Sequence, residues 1–302
     1  MLDHLDHLVC ISLSIHIWSG RKKLQPADLN LKSGEIPPDE LASLGAKKIC
    51  DPEELKTFHS LRRRAERLCE VAGVRFLGGY AVPLDKAEEL TDELKRLAAE
   101  FEAEKERFLA DYGESTTGWL NSLPAQWRPM VVQAIEPLEH IAGRLSFAHQ
   151  CFQARGVDGL DGGLNRSVEG LGERLLREIS RAAVQTWEAS FKGRTKVGRK
   201  ALRPIRAILE KAKGLLFLEN SLAPVLADIE EELNKLPQTG SLDGCHYRQL
   251  VGILTTLAAL DGLQHPVELE PESLEESDDD LATTDDDRLP AVASAALPMT
   301  WF

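Results

Sequence analysis

The stretch from residue 85 to residue 121 constrains everything around it. Leu90, Leu94, Leu97, Phe101, Phe108, Tyr112 and Trp119 lie on one stripe with predominantly three–four spacing, and Glu and Lys fill most of the other faces. That period is helical. It predicts one helix of about 37 residues, roughly 55 Å long at 1.5 Å rise per residue. A helix of this length with a narrow apolar seam needs a second helix beside it. The repeat stutters at Glu104–Lys105, so the expectation is a coiled-coil-like hairpin and not a perfect heptad array. The expected partner is a second long helix over 164–191, with Val168, Leu171, Leu175, Ile179, Ala183, Trp187 and Phe191 on its stripe.

The N-terminal region differs in period. Ile11, Leu13, Ile15 and Ile17 alternate with Ser12, Ser14, His16 and Trp18, the pattern of a half-buried strand that Gly20 and Arg21-Lys22-Lys23 end. Asp39 and Glu40 open a short helix that Gly45 closes. Asp51-Pro52-Glu53-Glu54 starts another, since Asp caps, Pro fits the first turn and acids suit the positive end of the dipole. Its apolar face runs from Leu55 through Phe58, Leu61, Ala65 and Leu68 to Ala72, before Gly73. Val74 to Val82, broken by Gly78-Gly79, reads as a short strand or hairpin able to pair with the first strand. Beyond Pro124 and Pro129, Pro137 precedes Leu138, Ile141, Leu145, Ala148 and Phe152 at helical spacing. Gly156 to Gly163 is a loop, and shorter amphipathic segments follow near 200–218, 222–236 and 245–261. The expected fold is mainly α: a small α+β unit over 1–83, an elongated helical bundle with the long hairpin over 84–264, and a disordered acidic tail over 265–302.

Charge is unevenly spread. The chain carries −13 overall, yet 266–302 holds 11 acids against the single base Arg288, so the remainder carries −3. Such a segment lacks the apolar content to fold alone. It ends in Leu297-Pro298-Met299-Thr300-Trp301-Phe302, and an apolar terminal peptide on a tether, Trp301 and Phe302 above all, suits docking in a partner's groove. The alternative is an inert solubilising tail. An acidic balance argues against indiscriminate polyanion binding for the whole chain but loses most of that force for the body.

The body contains a dense basic stretch. Lys192, Arg194, Lys196, Arg199, Lys200, Arg203 and Arg206 place seven positive charges in fifteen residues without an acid. Nucleic-acid phosphates need such an array, and binding to them weakens steeply with salt. Two other readings stay open: a solvated loop whose bases complement a helix C-terminus, and a docking place for the acidic tail. The glycines at 193 and 198 do not make a phosphate loop, because Arg199 and Lys200 stand where Lys and a hydroxyl residue are required. Arg62-Arg63-Arg64 with Arg67 reads as a solvated helix face.

Catalytic and metal chemistry finds no foothold. There is no nucleophile elbow and no Ser/His/Asp set that one pocket must hold. No cofactor cradle stands out. His4 and His7 have helical spacing beside Asp3 and Asp6, but no third ligand is near, and a frayed terminus is the plainer reading. Cys10, Cys50, Cys69, Cys151 and Cys245 are odd in number, widely spaced and without a C-x-x-C pair, which fits core positions in a reducing compartment. Leu8–Trp18 is too short to span a bilayer, which takes about 20 residues, so the expected compartment is the cytoplasm. An enzyme with a cleft between the small unit and the bundle is the least favoured expectation.

Three stretches, Ile11–Lys23 (ISLSIHIWSGRKK), Leu41–Leu55 (LASLGAKKICDPEEL) and Arg75–Pro83 (RFLGGYAVP), carry a family resemblance. With the helical region behind them, the sequence resembles a bacterial mobile-element family, domain of unknown function 3150, across residues 8–260. The resemblance implies protein partners, because genes of that family often lie near a MoxR-type AAA+ ATPase and a von Willebrand A protein similar to a cobalt chelatase subunit. It supplies no catalytic residue. The function expected first is therefore a non-enzymatic adapter or scaffold in an ATPase-driven assembly. The alternative is nucleic-acid binding through 192–206.

Overall fold

The computed structural model describes residues 2–29, 44–157, 159 and 162–262. The short helix expected at 39–45 falls almost wholly outside them, as does the terminal peptide with Trp301 and Phe302. Residues Met1–His265 group as one compact unit.

A four-stranded antiparallel sheet organises the molecule. Its strands are β1 (Leu8–His16), β4 (Val74–Phe76), β5 (Gly79–Pro83) and β6 (Ser146–Phe152), in the order β4-β5-β1-β6. β1 pairs Leu8 with Pro83 and Ile11 with Tyr80 on one side, and Cys10 with Phe152 through His16 with Ser146 on the other. Two ribbons stand apart from it: β2 (Arg21–Lys23) with β3 (Ala46–Lys48), and β7 (Lys196–Val197) with β8 (Leu242–Asp243).

Because strand side chains alternate, the sheet serves two cores. Val9, Ile11, Leu13 and Ile15 face a layer formed by α1 (Lys56–Ala72) and α2 (Leu84–Ser122), with the short α3 (Arg128–Val132) and α4 (Leu138–Ala142) against α2. Asp51 caps the entry to α1 by accepting from the Glu53 N–H at 2.9 Å, and Gly73 ends it. Phe58 of α1 packs edge-on against Phe101 of α2 at 4.9 Å and against Phe108 at 5.8 Å. Leu8 and Cys10 face the second core instead, built from α5 (Gly162–Glu169), α6 (Leu171–Ser190), α7 (Leu202–Gly214), α8 (Leu222–Asn234) and α9 (Gly244–Ala258). Within it α6 packs mainly on α9 and α7.

The mainly helical class holds, with long helices and this sheet. Four expectations are corrected. The stripe of α2 meets α1 and the inner face of the sheet, so it lies in a different core from the α6 stripe, and the two do not form the expected hairpin. A sheet face satisfies an apolar seam as well as a partner helix does. Residues 164–191 are two helices separated at Gly170. Region 84–261 is also not wholly helical: Ser146–Phe152, expected as helix, is the edge strand β6. The N-terminus is packed and not frayed, for Leu5 is buried and the rings of His4 and His7 lie 6.1 and 5.7 Å from Phe217.

Candidate nucleic-acid interface

The basic segment is shaped by what its apolar residues bury. Phe191, fully buried, closes α6, with its N–H and that of Lys192 both reaching Trp187 O at 2.9 and 3.0 Å. Its ring lies between Trp187 and Tyr247, and the Tyr247 hydroxyl donates to Phe191 O at 3.0 Å. Burial pushes the Tyr247 phenol up, while neighbouring Arg194 draws it down. Gly193, at φ +71°, reverses the chain as the left-handed residue after a helix end commonly does. Val197 of the β7–β8 ribbon is buried, and the turn Arg199–Ala201 leads into α7, where Leu202, Ile205, Ile208 and Leu209 point inward.

With the apolar side chains committed inward, the bases are left outside. Lys192, Arg194, Lys196, Lys200, Arg203 and Arg206 are exposed. Arg199 is half-buried, and its guanidinium donates to Pro237 O and, at 3.4 Å, to Gln238 Oε1. Two open hollows adjoin along this surface, of about 580 and 260 Å³. Arg194, Gly198 and Gly240 line the first, Arg203 and Arg206 the second, and Arg199 and Lys200 line both. Among the described residues none of the seven bases forms an ion pair with a carboxylate. Asp243 stands opposite Lys196 in the ribbon, yet no ion pair joins them.

Helix electrostatics separates the two halves of the segment. Lys192 and Arg194 follow the C-terminus of α6, where cations are favourable. Arg199, Lys200, Arg203 and Arg206 lie at and beyond the N-terminus of α7, which has neither a side-chain cap nor an acid in its first turn. Cations there oppose the dipole by about 0.3–1 kcal/mol each in the first turn. Complementing a helix end therefore accounts for two bases and leaves five unexplained. A surface this dense in exposed cations suits a polyanion.

The other sequence candidates fall elsewhere. Arg62 pairs with Glu66 at 2.9 Å and Arg64 with Glu100 at 2.5 Å, while Arg63 and Arg67 are exposed on α1. Among the described residues no group of three His, Cys, Asp or Glu is placed to hold a metal ion, and no helix is long and apolar enough to cross a membrane. One cationic surface was not foreseen: the β2–β3 ribbon brings Arg21-Lys22-Lys23 beside Lys47-Lys48. Its signal was two short basic runs, each following a glycine by no more than three residues.

These features define a mainly helical protein on a four-stranded antiparallel sheet, with a solvent-facing cationic segment between two helices. Within that class, the chain belongs to the family described as Protein of unknown function (DUF3150), whose model matches residues 5–259. No curated protein and no solved structure matches it.

Proposed function

We infer that the protein is a non-catalytic component that binds nucleic acid through the phosphate backbone at residues 192–206. One observation carries this reading: Arg194, Arg199, Lys200, Arg203 and Arg206, five of the seven bases, line two adjoining hollows at the start of α7, and none of the seven has a carboxylate partner among the described residues. Further along α7 the cations are neutralised, Lys211 by Glu178 and Lys213 by Glu230. The test is anisotropy with a labelled duplex DNA across a salt series. The variant is R194A/K196A/K200A/R203A, in which every altered side chain is exposed and Arg199, tied to the 237–238 loop, is kept. It should bind at least about tenfold more weakly at low salt, with a salt slope shallower by about 2–4, since each lost phosphate contact removes nearly one unit. Equal binding by variant and wild type would refute the reading.

An adapter role is the second reading. The long-hairpin motive for it falls away, because α2 is already covered by its own sheet. A different feature supports it. Trp127, Val132, Ile135 and Leu138 are exposed along the turn that joins α2 to α4, and clustered exposed apolar side chains mark partner surfaces. The partner implied by the family resemblance is a MoxR-type AAA+ ATPase or a von Willebrand A protein of the same bacterial mobile element, in the cytoplasm. Co-purification of such a partner with the wild type, and its loss with W127D/V132D, is the expected result. Undiminished co-purification with the variant removes the support.

A further inference from the structure

The β2–β3 ribbon has two faces of opposite electrostatic character. In its register Arg21 stands opposite Lys48, Lys22 opposite Lys47, and Lys23 opposite Ala46. Residues directly opposite share a face, so Lys22 and Lys47 make one face while Arg21, Lys48, Lys23 and Ala46 make the other. On the first, each cation has a carboxylate: Lys22 reaches Glu136, which Arg144 shares, at 3.4 Å and Lys47 reaches Asp28 at 2.5 Å. The hydrogen bond from Lys47 is the main reason the Asp28 carboxyl sits below the usual carboxylate range. On the second, Arg21, Lys23 and Lys48 are exposed, and among the described residues none forms an ion pair.

Arg21 facing Lys48 is unfavourable for folding, since like charges directly across a ladder repel. The ribbon is nevertheless firmly rooted. It is lengthened at its ends by Ile49 N–H to Gly20 O at 2.8 Å and by Leu24 N–H to Gly45 O at 3.0 Å. Trp18 and Ile49, both buried, fix its base, and the Trp18 ring packs 6.3 Å from Phe108 and 6.0 Å from Tyr112. Trp18 Nε1 donates to Glu136 at 3.0 Å, the same carboxylate that holds Lys22. A two-stranded ribbon with one face neutralised and the other carrying three exposed cations without an ion pair among the described residues is shaped for a duplex: the major groove of B-form DNA, about 12 Å wide, admits such a ribbon.

We propose that the β2–β3 ribbon is a second, separate DNA-contacting element, which enters the major groove of duplex DNA with Arg21, Lys23 and Lys48 against its phosphates and base edges. It extends the reading of residues 192–206 but stands on its own geometry. The ribbon is rooted in the α1–α2 core and that segment in the α6–α9 core.

The experiment compares the full chain with R21A/K23A/K48A and, in parallel, with R194A/K196A/K200A/R203A. Each is measured by anisotropy on a duplex DNA and on a duplex RNA of the same sequence, and by thermal unfolding. The ribbon variant should bind DNA at least about tenfold more weakly, with a salt slope shallower by about 2–3. Its affinity for RNA should be unchanged, because the deep, narrow major groove of an A-form helix excludes the ribbon. Its unfolding midpoint should stay level or rise, as the Arg21–Lys48 repulsion is gone. The charge-conserving R21K/K48R should retain binding. Wild-type DNA affinity in the ribbon variant, an equal loss on RNA, or a loss accompanied by a lower midpoint each overturns the proposal. A loss confined to the 192–206 variant overturns the ribbon and leaves the first surface standing. A loss confined to the ribbon variant does the reverse, and a wild type that ignores DNA at low salt overturns both.

Discussion

Gly20 holds φ +61° where the chain leaves Trp18 for the ribbon, and a Cβ there would lie 2.4 Å from Cys50 Sγ and 3.2 Å from Leu55 Cδ1. No side chain fits without moving the buried Cys50. Gly20→Ala should therefore cost about 1–3 kcal/mol in urea unfolding, from left-handed strain and overpacking together; an unchanged midpoint would contradict that geometry. The cysteines differ as sharply. Cys10, Cys50 and Cys69 are buried while Cys151 and Cys245 are exposed. Burial pushes the Cys50 and Cys69 thiols up to about 12. Since the thiolate is the reactive form, a thiol reagent near neutral pH should label Cys151 and Cys245 quickly and the other three only on unfolding. A raised thiol pKa favours the folded state fully below the ordinary value of about 8.5. As pH rises above it, the unfolded chain loses protons that the folded one keeps, and stability falls. The unfolding midpoint should thus drop between about pH 9 and 11, and less steeply in a Cys50→Ala/Cys69→Ala variant.

Among the elements, α1 with its Asp51 cap, β1 and the β4–β5 hairpin were legible in the sequence because local signals fix them: a cap, an alternation, a glycine pair. β6 was not. Leu138, Ile141, Leu145, Ala148 and Phe152 keep a three–four period, yet Phe147, His149 and Cys151 also keep a period of two, and a short run satisfies both. The open edge of β1 from Cys10 to His16 decides between them by supplying a ladder. α2 was correctly read as one helix, but its partner was not, because an apolar stripe does not say whether a helix or a sheet covers it. The cationic segment at 192–206 was legible as composition; its position at the start of α7 was not. The joint between the two cores was likewise invisible, since it is made by residues far apart in sequence. Glu178 of α6 accepts from the Arg75 N–H of β4 at 3.0 Å and from Lys211 Nζ of α7 at 2.7 Å, while Lys211 also donates to Glu70 O of α1 at 2.6 Å. Glu178→Ala leaves a half-buried ammonium and an N–H without this partner and should destabilise by about 1–3 kcal/mol. A loss below about 0.5 kcal/mol, typical of an exposed pair, would contradict that role.

At the scale of the molecule, one sheet carries a core on each face, so neither core has a boundary along which to come away cleanly. A single urea transition, coincident by fluorescence and circular dichroism, is the expected behaviour of Met1–His265. Charge is organised at the same scale. The chain is acidic overall, at −13, but without 266–302 it carries −3, and two of its surfaces gather bases that form no ion pair among the described residues. Long-range repulsion from a net negative charge slows the approach of a polyanion and is screened by salt. A chain ending at residue 264 should therefore bind duplex DNA more tightly than the full chain at low ionic strength, with the difference shrinking as salt rises. The decisive quantity is the slope of log affinity against log salt for the full chain on duplex DNA. Backbone contact through 192–206 and the ribbon predicts a steep negative slope of several units, reduced by about one for each contacting base removed. A slope near zero, or no binding at about 50 mM salt, where phosphate contacts are strong, would contradict it.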